Sequence, residues 1–145
     1  MKLRVTSAAN KEQALSKVGA ALFVITREDI ASSGANNIPD LLRLVPGVEV
    51  AQVDANQWAI SIRGFNSFGP NKVLALIDGR ALYQPSFSGV LWDQQDLPLE
   101  DVERIEVIRG PGGTIWGANA VNGVINIITR HSRDTRGGLI TTGAG

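Results

Sequence analysis

The chain has no cysteine and only one histidine, His131. Without cysteine there is no disulfide to staple the fold and no thiolate to bind a metal or attack a substrate. A single histidine excludes a multi-histidine metal site. There is also no excess of charge: 14 basic residues balance 14 acidic ones. That balance removes the electrostatic case for nucleic acid or an anionic membrane surface as partner. No apolar run approaches the roughly 18–20 residues of a membrane-spanning helix. The opening MKLRVTSAANKEQ lacks the apolar stretch of a signal peptide. Ser86 and Ser88 have no nucleophile-elbow motif around them and no histidine nearby to activate them. Asp93, Asp96, Glu100 and Asp101 cluster, but with no converging base they read as a solvated loop. The expectation is a non-enzymatic protein with no metal and no cofactor.

What is present is one domain's worth of chain, 145 residues with 43% apolar content, enough for a globular core. Residues 1–17 are polar and weakly patterned and read as a flexible surface segment. The stretch GAALFVITREDIASSG reads as a strand over Ala21 to Ile25, then a helix. Thr26 is placed to cap that helix, Glu28 and Asp29 sit in its first turn where the helix dipole favours anions, and Gly34 stops it. NNIPDLLRLVPG reads as a second short helix capped by Asn37, with Leu41, Leu42 and Val45 on its buried stripe and Pro46-Gly47 as terminator.

The period then changes to two. VEVAQV is a strand, and WAISIRG sets Trp58, Ile60 and Ile62 on one face. Val73 to Ile77 is wholly apolar, as in a central strand covered on both faces, and Asp78-Gly79 is a hairpin turn. VERIEVIRG alternates Ile105 and Val107 against Arg104 and Glu106. NGVINIIT is a further strand, and GGLITTGAG starts another at Gly138. Loops at 53–57, 65–71 and 83–96 are rich in polar and aromatic residues, and long ordered loops tend to be functional.

The glycine-rich GPGGTIWGANAVNG resembles a phosphate-binding loop only loosely. Ile115 occupies the place of the third glycine, no acidic residue follows at the required distance, and no Lys-Ser/Thr pair follows the glycines. The glycines read instead as tight turns and close backbone approach. Arg63, Arg80, Arg104 and Arg109 fall at strand ends or on polar strand faces. They are consistent either with ion pairs inside the sheet, Glu103 and Glu106 being the obvious partners, or with a charged face docked on another surface.

Four blocks, VITREDIASSGANNIPDLLRLVPGVEV, SIRGF, VLALIDGRALY and LPLEDVERIEVIRGPGGTIWGANAVNGVINIITR, resemble in order and spacing the plug domain of TonB-dependent outer-membrane receptors. The resemblance covers about residues 18–137. It implies an α+β fold: a mixed four-stranded sheet with short helices and extra hairpin strands, lodged in a barrel of about 22 strands in the outer membrane of a Gram-negative bacterium. It implies a gate that occludes the barrel, helps to bind a ferric siderophore or similar chelate, and moves when the periplasmic protein TonB pairs with an N-terminal strand segment. By position, the apical ligand-facing residues would be Asp54, Asn56, Gln57, Asn66, Phe68, Asn71, Tyr83, Gln84, Phe87 and Trp92. Arg63, Arg80, Glu103, Arg104, Glu106, Arg109 and Gly110 would meet the barrel wall or hold the plug's structure. Leu3, Arg4, Val5, Thr6 and Ser7 have the extended character of a TonB-contacting segment. A short helical turn is expected near Trp116 to Asn119.

The barrel itself is absent from this chain, so a fragment of a longer receptor is expected, with Gly138 to Gly145 as the start of the first barrel strand. The alternative is a stand-alone periplasmic binding or interaction module that reuses the fold. Either way the isolated chain is expected to be soluble, and an unpaired edge at GGLITTGAG is a route to a dimer.

Overall fold

A computed structural model describes residues 21–54, 57–62, 73–84, 89–90, 92, 95, 97–109, 123–140 and 142. The expected flexible segment 1–17, the TonB-contacting residues Leu3 to Ser7, and the turn near Trp116 lie outside these.

The chain enters the described structure as strand β1 (Ala21–Ile25) and turns directly into helix α1 (Arg27–Ser33). Thr26 caps α1 reciprocally. Its hydroxyl accepts from the Asp29 N–H at 3.2 Å, and its own N–H donates to the Asp29 carboxylate at 2.9 Å. Gly34 closes the helix in the left-handed conformation at φ 69. Helix α2 (Ile38–Leu42) starts at Asn37, whose side chain accepts from the Asp40 N–H at 2.9 Å. The strands then follow as β2 (Val48–Asp54), β3 (Gln57–Ile62), β4 (Val73–Ile77), β5 (Arg80–Ala81), β6 (Tyr83–Gln84) and β7 (Gly89–Val90). A 3₁₀ turn (Leu99–Asp101) leads into β8 (Val102–Arg109), and β9 (Gly123–Thr129) follows.

The main sheet has five strands in the order β1-β8-β9-β4-β5. All its pairings are antiparallel except β4 with β9, which is parallel. The expected mixed α+β architecture is present, with four full strands and a two-residue β5 added through the Asp78-Gly79 hairpin. Hairpins β2-β3 and β6-β7 form separate two-stranded sheets.

The main sheet divides the core. One face carries Ile25, Ile105, Val107, Ile125, Ile127 and Ala75 and packs against α1, α2 and hairpin β2-β3. The other carries a smaller cluster of Ile108, Val124, Leu74 and Leu76, with Leu22 beside it. A register shift between Val102 and Arg104 sets Val102 on the same side as Ile105, so the strand's first residue joins the larger core.

At the far end the structure departs from the sequence expectation. Residues 138–140 adopt no strand, and Leu139 and Ile140 are 69% and 92% exposed. A strand is defined by its ladder, and none of the described residues pairs with this segment.

Candidate functional site

Two regions of the fold carry the residues that the sequence marks for function: the loops and hairpin tips, and the polar side chains on the β8-β9 faces. The first is built by hairpin β2-β3, whose ladder runs from Val48 opposite Ile62 to Asp54 opposite Gln57, with a bulge between Gln52 and Asp54. Its apolar face is set by alternation. Ile60 and Ile62 are buried, and Trp58 is partly buried with the Arg43 guanidinium 5.6 Å from its ring centroid. The hairpin therefore offers its end to the surface, with Asp54 exposed and Gln57 closing the ladder beside it. Tyr83 and Gln84 form β6 and pair with Val90 and Gly89 of β7. Asn56, Asn66, Phe68, Asn71 and Phe87 lie outside the described residues.

Trp92 differs from its expected place. It is 7% exposed and belongs to the main core cluster with Val90. Burying an indole contributes on the order of 3 kcal/mol, and the apolar floor beneath this segment claims the ring. The sequence signal, an aromatic residue in a polar loop, does not separate a surface contact from an anchor.

The second region is on β8 and β9. Glu106 is 3% exposed, the one charged side chain buried among the described residues, and its Oε1 accepts from Arg104 Nε at 3.1 Å. Of the two readings open to these arginines, an ion pair inside the sheet is present at Arg104 and Glu106. Asn126 stands opposite Glu106 across the β8-β9 ladder, and its buried Oδ1 has no hydrogen-bond partner among the described residues. An unpaired buried carbonyl costs about 1–3 kcal/mol, so its place in the middle of a sheet face is notable. Sequence reasoning passed over Asn126. Its signal was a lone amide inside the apolar run GVINIIT.

The other arginines serve different ends. Arg80 is exposed on β5. Arg109 donates from Nη1 to the Pro46 carbonyl at 2.5 Å, joining β8 to the turn before β2. Arg27, which the sequence did not mark, donates from Nη1 to the carbonyls of Glu100 and Val102, each at 3.1 Å, and ties α1 to the start of β8. Glu103 is half-buried. Arg63 and Gly110 lie outside the described residues.

Among the described residues no group of three His, Asp or Glu side chains is placed to hold a metal ion. His131 is exposed in the turn after β9, where its Nδ1 accepts from the Arg133 N–H at 3.2 Å. Among the described residues no helix is long and apolar enough to cross a membrane, which says nothing of spans built from strands.

Comparison with known proteins agrees with this fold. The family model described as "TonB-dependent Receptor Plug Domain" matches residues 14–124. The chain is 39% identical over 143 residues to the vitamin B12 transporter BtuB of Vibrio vulnificus, a match covering 97% of this chain and 23% of that protein. It is 40% identical over 141 residues to the iron-regulated outer membrane virulence protein of Vibrio cholerae, covering 94% of this chain and 21% of that one. Among solved structures, the ferric enterobactin receptor PfeA of Pseudomonas aeruginosa superimposes with a TM-score of 0.60 at 33% identity, over 75% of this chain and 17% of that receptor. The chain thus spans about a fifth of the length of these relatives.

Proposed function

The chain belongs to the TonB-dependent receptor plug domain family, and from that premise we propose that it is the gate of an outer-membrane importer. In this reading the domain sits in the lumen of a β-barrel and closes it to solutes. The exposed Arg80 of β5 and the part-exposed Arg104 of β8 suit that setting, because the inner wall of such a barrel is itself polar. The tip of hairpin β2-β3 and the polar loops at 65–71 and 83–96 contribute to cargo binding. Asp54, Asn56, Gln57, Asn66, Phe68, Asn71, Tyr83, Gln84 and Phe87 are the contacts we assign, and Trp92 supports them from the core. The cargo class is a bulky polar chelate, a ferric siderophore or a cobalamin. The segment Leu3 to Ser7 pairs as an added strand with TonB, and that engagement moves the gate. No step in this account requires enzymatic turnover.

The observation that carries the reading is the family match over residues 14–124, together with relatives named as a vitamin B12 transporter and a ferric enterobactin receptor. The test is uptake in a cell expressing the encoding gene. Accumulation of labelled vitamin B12 or of a ferric siderophore is expected to require both the gene and TonB. If a stop codon follows near Gly145 and neither cargo is taken up, the reading fails and a stand-alone binding module takes its place.

A further inference from the structure

Arg109 ends β8, and 63 residues earlier Pro46 lies in the turn that launches hairpin β2-β3. The backbone of Arg109 is already placed in the sheet, opposite Ala21 of β1 and Gly123 of β9. Its side chain is therefore free for another role, and Nη1 donates to the Pro46 carbonyl. The guanidinium lies close against that turn: a Cβ on Gly47, at φ 81, would stand 3.2 Å from Nη1 and 3.9 Å from Cδ. Nε of the same group is buried and has no acceptor among the described residues. Among the described residues this carbonyl contact is what holds the guanidinium, and a donor that carries charge makes it a strong one.

The other strand of the hairpin is seated independently. Ile62, the last residue of β3, presses on Gly123, where a Cβ would come within 2.8 Å of Ile62 Cδ1. Both legs of the hairpin thus rest on the end of the sheet where β8 stops and β9 starts. From there β2 runs seven residues to Asp54, a reach of about 23 Å at roughly 3.3 Å per residue. Tilting the base by about 5° displaces the tip by about 2 Å over that reach. Displacements of this size matter wherever a ligand is held by several side chains at once.

We propose that Arg109 is a positioning residue: by holding the Pro46 carbonyl it sets the direction of hairpin β2-β3 and so the placement of its tip at residues 54–57. The consequence for cargo rests on the reading of that tip as ligand-facing. The geometric role does not.

The chain has no cysteine of its own, so the exposed positions Ala51 and Ser132 can be converted to a spin-label pair by Ala51→Cys and Ser132→Cys. Double electron–electron resonance then reads the distance distribution between hairpin and sheet end. Ala51 lies about 13 Å along that lever, so Arg109→Met is expected to broaden the distribution or shift it by about 1 Å. Arg109→Lys, whose ammonium still reaches a carbonyl, is expected to restore most of the parent distribution. A parent-like distribution in Arg109→Met, or a lysine variant no better than methionine, overturns the proposal. If circular dichroism shows Arg109→Met unfolded, Arg109→Gln, whose shorter side chain does not reach the Pro46 carbonyl, decides by the same criterion: a parent-like distribution overturns the proposal and a broadened one supports it. Uptake of labelled vitamin B12 and ferric enterobactin by the full receptor separates the two readings. If Asp54→Ala and Gln57→Ala leave uptake intact while Arg109→Met broadens the distribution, the ligand-facing assignment fails and the positioning role stands.

Discussion

The carboxylate of Asp78 holds Thr129 at two points, accepting from its backbone N–H at 2.9 Å and from its hydroxyl at 2.6 Å. Asp78 also donates its own N–H to the Ile127 carbonyl at 2.9 Å. One turn residue thereby extends the parallel β4-β9 pairing by a further rung. It also adopts φ 48, a conformation that aspartate and asparagine tolerate better than other side chains. Asp78→Ala is expected to lose both contacts and incur backbone strain, for about 2 kcal/mol. Asp78→Asn keeps the turn preference and an acceptor, and is expected to stay within about 0.5 kcal/mol of the parent. Urea unfolding midpoints of the two variants give the comparison.

Gly123 is required by space. A Cβ there would lie 2.5 Å from the Ile108 carbonyl oxygen and 2.8 Å from Ile62 Cδ1. Gly123→Ala is expected to cost about 3 kcal/mol. Adding Ile62→Val is expected to recover only part of this, since the backbone oxygen cannot withdraw. Full recovery in the double variant would show that the side chain alone sets the limit.

The Arg104–Glu106 pair is unequal, with side chains 25% and 3% exposed. Removing the arginine leaves a carboxylate in a buried place, whereas removing the charge on Glu106 leaves a guanidinium that can reach water. Glu106 keeps a further interaction of its own, so Arg104→Met is expected to cost about 1–2 kcal/mol, and Glu106→Gln clearly less. Thermal unfolding of both variants reads the order, and the reverse order would refute this account of the pair.

The start of α1 carries a pH dependence. The Thr26 backbone N–H, and then its hydroxyl, hold the Asp29 carboxyl below its ordinary value of 3.8. A lowered folded-state value means that the stabilisation is complete above about pH 4 and is lost as pH falls through the folded value. An NMR titration of the Asp29 carboxyl is expected to show this midpoint below 3.8. The amides of the first turn are expected to stay protected down to that midpoint. Asp29→Asn is expected to abolish the transition, and Thr26→Ala to destabilise the helix by about 1 kcal/mol.

Local rules made much of this fold legible in the sequence. The Thr26 and Asn37 caps, the Gly34 stop, the Asp78-Gly79 turn and the alternation of Ile105 and Val107 against Arg104 and Glu106 each depend on residues within a few positions of one another. The strand order β1-β8-β9-β4-β5 does not. Its parallel β4-β9 pair joins segments nearly fifty residues apart, and no short-range pattern encodes such a partner. Trp92 was misplaced because the apolar floor that buries it comes from distant elements. Leu139 and Ile140 carry strand propensity but have no described strand to pair with. For the candidate site, the identity of polar residues was readable, whereas their engagement was not. Arg109 is open in sequence between an ion pair and a docked charged face, and in the structure it bonds a backbone carbonyl.

The central claim is that this domain closes a barrel. Its most direct test is to delete the codons for residues 18–137 from the encoding gene and measure the conductance of the purified product in planar lipid bilayers. The account predicts large, continuously open channels from the deletion product and near-silence from the intact protein. Equal conductance from the two, or none from either under conditions in which the deletion product inserts, would contradict it.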